Sequence, residues 1–519
     1  MFSILKKVFK KNFQDANKSI TIDFKDDPDY IYDAFESALR AADFIYFEEY
    51  FKSKRNMLAS TFFLEKYKDF IEEWRITSGG LFVKTNEKAK KLKKNLSDYS
   101  YKELESFYDE NYYLNDCGGY ESFKLNNDVL DSRLYVVQCL AAIKSVNVKG
   151  EIGSSLDGAG SGSGCERAGD NVVEKILDLG CGRGELSYAM AKGGADVLAI
   201  DYSAASIKIA EKNFGGKLDN LKYKKIDFFE LDPALIFDKI VASDLVEHID
   251  TELFGRFLKS INAHLNKGGI FILHTAPNKY VYSYKYKKDR AKAEKLGLYL
   301  PENPRSFYES LMHINEQTPG SLKRALKKYF KNICVWTANT EEPAGDLIKK
   351  PSKDSLSANR SIFALASNDD NIEGGAVIKK DIINLLTQNE LKDISGISLE
   401  FLTDYAYAKK IKKNSIYTFK FNLVNNGVTA LKSLGKNPIS LSYHIKDANG
   451  NYIVYDGIRT GLPSVIYPKQ TAKVDIAVQF PISSYTGKAF IEFTMLQEGV
   501  FWFENKKADF AKRLEVEII

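Results

Sequence analysis

The densest chemistry in this chain lies around one turn. An apolar run ends at Asp178, the turn reads Gly180-Cys181-Gly182-Arg183-Gly184, and Glu185 follows. Glycines at this density let the backbone turn sharply and approach a ligand closely. A dinucleotide-binding turn would space them as G-x-G-x-x-G and set a pyrophosphate on the next helix. Here the spacing is G-x-G-x-G, with an acid on each side. Carboxylates repel pyrophosphate, so the turn suits a ligand with positive charge and hydroxyls but no phosphate. A second apolar run ends at Asp201, 23 residues after Asp178. A carboxylate at that place can accept both hydrogen bonds of a ribose diol.

Three further groups could move protons. The first is Asp244-Leu245-Val246-Glu247-His248, where Glu247 and His248 either act in chemistry or simply shape a helix start. The second is His313-Ile314-Asn315-Glu316, just before Thr318. There His313 is a candidate base with Glu316 beside it, and local capping bonds are the alternative. His274 sits inside an apolar run and reads as a packed core histidine. Tyrosines and lysines also alternate over residues 279–290, where Tyr280, Tyr282, Tyr284 and Tyr286 are either stacking surfaces for an acceptor or part of a solvated helix.

The elements that must hold these groups follow from periodicity. Short β-like runs at 175–180, 196–201, 221–227, 239–244 and 269–275 alternate with helical stretches, which predicts a parallel sheet covered on both faces. Thr318-Pro319 reads as an N-cap with proline in the first turn, opening the helix PGSLKRALKKYF. Residues 332–338 and 360–367 read as two more strands with a loop between them. From about Ile397 the period becomes two, with NNG and ANGN at turns, which predicts an all-β sandwich of roughly seven strands. Within it, Phe501 and Phe503 should face one way and Trp502 the other. The side opposite the core is then either a glycan platform or a surface packed on the α/β domain. The expected organisation is a mostly helical region over 1–145, a flexible Gly/Ser-rich insertion over 146–172 and an α/β domain over 173–370. A linker with one helix over 371–396 and the sandwich over 397–519 complete it.

The totals narrow the class. A chain of 519 residues is expected to hold two or three domains. A net charge of +5 is too mild for bulk nucleic-acid binding, and no NPPY-type base-flipping motif is present. Five scattered cysteines without a C-x-x-C pair indicate neither a disulfide framework nor a zinc knuckle, and fit a reducing cytosol. No apolar run approaches the ~20 residues that span a bilayer. At the N-terminus, Met1, Leu5, Val8, Phe9 and Phe13 share a helical face opposite Lys6, Lys7, Lys10 and Lys11. That face either meets anionic lipid at residues 1–13 or packs on its own domain.

DLGCGRGE, IDYS, ID, SDLVEHI and GGIFILHTAPN, in this order over 173–367, resemble the motifs of class I S-adenosylmethionine-dependent methyltransferases. The resemblance implies a Rossmann-like α/β fold with a seven-strand sheet, here between an N-terminal helical region and a C-terminal all-β sandwich. It implies S-adenosylmethionine as cofactor. Gly180, Gly182 and Gly184 would lie against its methionine part, with Asp178 and Glu185 as nearby acids. Asp201 would hold the ribose and Tyr202 would lie beside the adenine. Asp227 and Phe228 fall where adenine is held, and Ser243, Asp244 and Leu245 line the pocket. Residues 108–134 and 313–322 resemble segments of bacterial methyltransferases from polysaccharide clusters. Residues 244–248 are similar to the acid-x-x-Glu-His cluster of ubiquinone-pathway O-methyltransferases, in which a divalent cation is implied. Asp244 replaces the first glutamate, and no metal ligand is assigned. The sandwich resembles immunoglobulin-like carbohydrate-binding modules.

The expected function is O-methylation of a saccharide in surface polysaccharide biosynthesis, on a growing chain, a lipid-linked glycan or a nucleotide sugar. The expected location is the cytoplasm, at the inner face of the membrane. The alternatives are a quinone or secondary-metabolite O-methyltransferase, and a glycan-binding protein with a non-catalytic cofactor domain.

Overall fold

The computed structural model describes residues 107–115, 117–125, 127, 129–143, 173–295, 305, 309, 312–339, 342–348, 353–368, 376–402, 405–480 and 485–519. The expected helix over 1–13, most of the 1–145 helical region and the 146–172 insertion lie outside these residues. Two compact bodies form. One combines Glu105–Asn278 with Glu316–Ile519, and the other includes Lys279–Asn315.

In the larger body, short helices at Glu110–Asn115 and Tyr120–Leu125 precede a helix at Ser132–Ala141. The α/β sheet then runs β1 (Lys175–Leu179), β2 (Asp196–Asp201), β3 (Leu221–Lys225), β4 (Phe237–Ser243), β5 (Leu265–Thr275), β6 (Asn332–Ala338) and β7 (Ser361–Ser367). Their spatial order is β3-β2-β1-β4-β5-β7-β6. β1 to β5 pair in parallel, as expected, but β7 lies antiparallel between β5 and β6. Strand direction leaves no trace in apolar patterning, and all seven residues of β7 are buried. The predicted loop between β6 and β7 also contains a 3₁₀ turn at Gly345–Leu347 and a helix at Lys353–Ala358. Six residues are too few for a 3.6 period to show.

The helices are placed by caps and apolar spacing. Asp250 caps the Thr251–His264 helix by accepting the Glu252 N–H at 2.7 Å. Phe254, Phe257, Leu258 and Ile261 of that helix, spaced i, i+3, i+4, i+7, are buried. Residues Tyr135 to Ala141 are buried without a break, so the Ser132–Ala141 helix is covered all round. Beneath it, Lys239 of β4 is fully buried and bonds the Ala141 carbonyl at 2.6 Å and the Glu174 carboxylate.

A helix at Ala376–Leu385 leads into the sandwich. One sheet is β14 (Gln470–Gln479), β10 (Ile416–Asn425) and β8 (Ile397–Phe401). The other is β12 (Tyr452–Val454), β11 (Ile439–Asp447), β15 (Gly487–Gln497), β17 (Lys512–Ile518) and β9 (Lys410–Ile411). Two short strands join it: β13 (Thr460–Gly461) pairs β11, and β16 (Phe501–Trp502) pairs β15. β16 stops at Trp502, where the short helix Phe503–Lys506 begins. The expected split of its aromatics still holds: Phe503 is in the sandwich core and Phe501 packs against it, whereas Trp502 lies against His444 and Tyr455.

The sandwich is bonded to the α/β layer. Leu130 N–H donates to the Pro463 carbonyl at 2.9 Å, and the Ser433 N–H donates to the Tyr135 hydroxyl at 3.1 Å. Val465 N–H donates to Gln138 Oε1 at 3.0 Å, and the Gln470 amide reaches the Lys192 carbonyl at 2.5 Å. Among the described residues, no helix is long and apolar enough to cross a membrane.

Candidate active site

In an open α/β sheet, ligands bind beyond the carboxyl ends of the parallel strands. Here those ends carry the glycine turn after β1, Asp201 of β2 and the turn after β4. Gly180, Gly182 and Gly184 all have positive φ, at 68°, 54° and 86°. A Cβ on Gly180 would lie 3.0 Å from the Leu245 side chain. A Cβ on Gly184 would lie 2.8 Å from both Ala210 and the Tyr223 hydroxyl. Gly184 therefore lets the Glu185–Lys192 helix close against its neighbours, and Tyr223 donates to its carbonyl at 2.9 Å. Gly182 meets only the Tyr113 ring, at 4.0 Å, and is the glycine that a ligand can approach.

Asp201 faces that turn. Its Oδ2 accepts the Gly182 N–H at 3.1 Å and its Oδ1 the Ser203 N–H at 2.9 Å. Each oxygen then has lone-pair capacity for a further donor, which is what a vicinal diol requires. Burial raises its pKa, and the two backbone N–H groups oppose the rise. Asp178 is buried, which pushes its carboxyl up to about 7, and it accepts the Ser187 hydroxyl at 2.5 Å.

The structure gives Glu185 another role than an acid beside the ligand. It pairs with Arg183 at 2.7 Å, and both side chains are buried. Arg183 also donates to the carbonyls of Tyr113, Cys117 and Gly118 at 2.8–3.1 Å. The pair pins the 113–118 segment to the glycine turn. Asp227 accepts the Phe229 N–H at 3.0 Å and caps the turn Phe228–Glu230. Phe228 packs on Phe257 and His264. Both residues build the loop after β3. The Tyr202 ring stands edge-on to Tyr108, with centroids 5.4 Å apart.

Beyond Ser243, Asp244 adopts φ 51°, a left-handed conformation that costs a non-glycine residue about 1–3 kcal/mol. Arg133 holds it at 3.1 Å and is itself paired to Asp131 at 2.7 Å. His274 Nδ1 lies 3.0 Å from Asp244 Oδ1, near enough for charge attraction but without hydrogen-bond alignment. Burial favours the neutral Asp244 carboxyl, but Arg133 and then His274 reverse this and hold it well below the usual range. His274 is fully buried and its Nε2 faces the Ser361 hydroxyl at 3.0 Å, as the core reading expects.

Glu247 is 1 % exposed; burial, and then the neighbouring Asp244, push its carboxyl up to about 8. Its Oε2 accepts the Thr275 hydroxyl at 2.7 Å, and Oε1 faces the Ala276 N–H at 3.5 Å. His248 Nδ1 lies 3.1 Å from the Tyr108 hydroxyl. Burial holds the Tyr108 phenol in its protonated form, so it can donate to Nδ1 of a neutral imidazole, which would then carry its proton on Nε2.

The His313–Glu316 pair is divided between bodies. His313 belongs with Lys279–Asn315, where its N–H donates to the Glu309 carbonyl at 3.2 Å, and Glu316 begins the second part of the larger body. The cap expected at Thr318 is present: its hydroxyl accepts the Ser321 N–H at 3.0 Å, and the Ser321 hydroxyl reaches Gln317 at 2.8 Å.

Tyr108, Tyr113, Asp131, Arg133 and Thr275 carry no assigned role in the sequence reading. The signal for the first two was the tyrosine density of residues 108–113. Nothing local marks Arg133 as the partner of Asp244, which lies more than 100 residues away.

Residues 162–334 match the family model described as a methyltransferase domain. The chain is 37 % identical over 115 residues to a ubiquinone biosynthesis O-methyltransferase of Pelagibacter ubique, covering 21 % of this chain and 45 % of the relative. It is 38 % identical over 115 residues to the mitochondrial ubiquinone biosynthesis O-methyltransferase of Mus musculus, covering 21 % of this chain and 30 % of that one. A solved complex of DhpI with SAH aligns with 51 % of this chain and 96 % of its own at 15 % identity, with a TM-score of 0.30. The chain thus spans less than half the length of these curated relatives. The part of the chain over residues 162–334 is thus a methyltransferase domain by its family model.

Proposed function

We propose that this protein methylates a hydroxyl of a saccharide acceptor: a surface polysaccharide, its lipid-linked form or a nucleotide sugar. The observation that carries the methyl-transfer part is the open Gly182 backbone facing the Asp201 carboxylate. The residues fit the cofactor. Gly180 clears space beside Leu245, Gly182 leaves its backbone open beside Tyr113, and each Asp201 oxygen keeps lone-pair capacity for the ribose diol.

S-adenosylmethionine, when bound, supplies a methyl group already activated on a sulfonium, so positioning accounts for much of the rate. The chain's own residues then have two tasks. The first is to hold a hydroxyl in line, for which the Nε2–H of His248, fixed by Tyr108, is an oriented donor. The second is to take the hydroxyl proton. Glu247, buried beside Asp244, is the carboxylate suited to this once it is ionised.

The saccharide class is supported by the sandwich, which is hydrogen-bonded to the catalytic layer instead of hanging from a linker. A cytoplasmic site of action, with residues 1–13 on anionic lipid and no nucleic-acid partner, completes the proposal. A small phenolic or quinone-type acceptor is the second reading, favoured by the names of the curated relatives.

Calorimetric titration with S-adenosylmethionine and S-adenosylhomocysteine tests the cofactor site. Labelled methyl transfer to saccharide and catechol-type acceptors in parallel tests the acceptor. Transfer to a saccharide supports the proposal, and transfer to the phenol alone moves it to the second reading. Absence of cofactor binding overturns the methyl-transfer mechanism.

A further inference from the structure

We infer that His274 is a positioning residue for methyl transfer: carrying its proton on Nδ1, it holds Asp244, and through Asp244 the turn on which Glu247 and His248 stand. The inference rests on the proposed transfer, in which Glu247 takes the hydroxyl proton.

His274 occupies a core place. Phe271, Ile272 and Leu273 before it on β5 are fully buried, and its ring lies 4.6 Å from that of Phe363. An apolar side chain would pack there without desolvating a polar group, so a buried imidazole calls for a use. Its two nitrogens have different surroundings. Nε2 faces the Ser361 hydroxyl at 3.0 Å, a group that can donate or accept. Nδ1 faces Asp244 Oδ1 at 3.0 Å. Arg133 keeps Asp244 ionised, and an ionised carboxylate only accepts. A lone pair on Nδ1 would therefore stand acceptor against acceptor. The arrangement is consistent only with a proton on Nδ1, and Ser361 then donates to Nε2.

Asp244 needs this hold. A φ of 51° persists in a non-glycine residue only where the surroundings over-determine it. Its N–H donates to the His274 carbonyl at 3.1 Å, its Oδ2 meets Arg133 at 3.1 Å, and its Oδ1 meets the imidazole. Two of these three contacts come from His274. Beyond Asp244, the His248 N–H closes one turn on the Leu245 carbonyl at 3.0 Å. Thr275, the next residue of β5, donates to Glu247 at 2.7 Å. Consecutive residues of β5 thus grip both acids of the turn. Asp244 Oδ1, His274 Nδ1 and the neighbouring Ser243 Oγ are buried without an aligned hydrogen bond. Bonds of an active site are often poorly aligned before the reactants bind and tighten in the complex. Without the imidazole, Arg133 alone would hold the Asp244 side chain and draw it off β5.

The test separates the two nitrogens. Asparagine places an amide nitrogen where Nδ1 lies, glutamine places one where Nε2 lies, and phenylalanine keeps only a ring. Methyl transfer is measured on whichever of the saccharide and catechol acceptors the parent uses. His274→Gln and His274→Phe are expected to lower kcat by about 10²-fold, the cost of a misplacement of about 1 Å, with the KM for S-adenosylmethionine kept. His274→Asn should turn over like the parent. Parent-like turnover in His274→Gln or His274→Phe overturns the inference. An equal loss in His274→Asn does so too, since the ring would then serve packing alone. A second measurement decides where a variant does not fold: nitrogen NMR of the parent chain carrying isotope-labelled histidine, of which His274 is one of five. A proton on Nδ1 of His274 is expected, and a neutral ring protonated on Nε2 overturns the inference. If the parent transfers no methyl group to any acceptor, the proposed function falls, and the nitrogen spectrum still decides the link between His274 and Asp244.

Discussion

Replacing Gln138 with leucine tests whether the sandwich and the catalytic layer are one bonded structure. Gln138 is 1 % exposed on the Ser132–Ala141 helix. Its Oε1 accepts the Val465 N–H at 3.0 Å, and its Nε2 reaches the Ala189 carbonyl at 3.5 Å. Leucine keeps most of the volume, so a cavity contributes little. The loss is then the desolvation of an orphaned, buried Val465 N–H, worth about 1–3 kcal/mol. The contact to Ala189 is long and adds little. The expected result is a destabilisation of about 2 kcal/mol in urea unfolding, with faster hydrogen exchange at the Val465 amide. Cofactor affinity should change little, because the glycine turn and Asp201 do not touch Gln138. A change below about 0.5 kcal/mol, within the range of ordinary surface substitutions, together with unaltered exchange at Val465, would refute the joint.

Three other outcomes follow from the site. Asp201→Ala should weaken S-adenosylmethionine binding by about 100-fold or more, since two charge-assisted hydrogen bonds at about 1.5–3 kcal/mol each are lost; unchanged affinity by calorimetry removes the ribose assignment. Glu247 must be ionised to accept a proton, so turnover should rise with pH through about 8, and Glu247→Gln should lower kcat by about 10²–10⁴ and abolish that rise; a variant that keeps the profile shows the base to be elsewhere. For Asp178, the folded pKa of about 7 lies above the ordinary aspartate value of 3.8. The folded state therefore binds more protons between these values, and its stability is full below 3.8 and falls as pH rises through 7. The loss is on the order of 4 kcal/mol. Urea unfolding of Asp178→Asn should show a flatter dependence between pH 5 and 8 than the parent, and equal slopes would contradict the assignment.

The fold was legible where one period ran long enough. Strand–helix alternation located β1 to β5 within a few residues, because each is an apolar run closed by a polar turn. The two-residue period after Ile397 located the sandwich for the same reason. It also located the division at Trp502, since alternation survives even where the strand is only two residues long. The direction of β7 was not legible, because an inner strand with seven buried residues looks the same in either orientation. The joint between the layers was hidden for a related reason. The Ser132–Ala141 helix scatters Arg133 and Gln138 among apolar residues and is buried from Tyr135 to Ala141, so it has no polar stripe from which a second covering layer could be read.

The site was legible in its glycines and in Asp201, whose roles depend on the backbone within a few residues. It was less legible where an acid is held by a cation of the chain itself. Five carboxylates stand at the carboxyl ends of β1, β2 and β4 in the sequence motifs: Asp178 and Glu185 at the glycine turn, Asp201 for the ribose, Asp244 in the pocket lining and Glu247 as a proton-moving candidate. Arg183 takes Glu185, and Arg133, arriving from more than 100 residues before Asp244, takes Asp244. Those two acids become the supports of the walls. Asp178, Asp201 and Glu247 have no such cation, and burial raises the pKa of each. Uncompensated burial of a carboxylate is unfavourable in the empty protein, and it is the three acids left in that state that a sulfonium and a hydroxyl acceptor would relieve. The division between paired and unpaired acids thus separates scaffold from site more sharply than the motif does. It is set by Arg183, two residues before its partner Glu185, and by Arg133, which only the folded chain brings to Asp244.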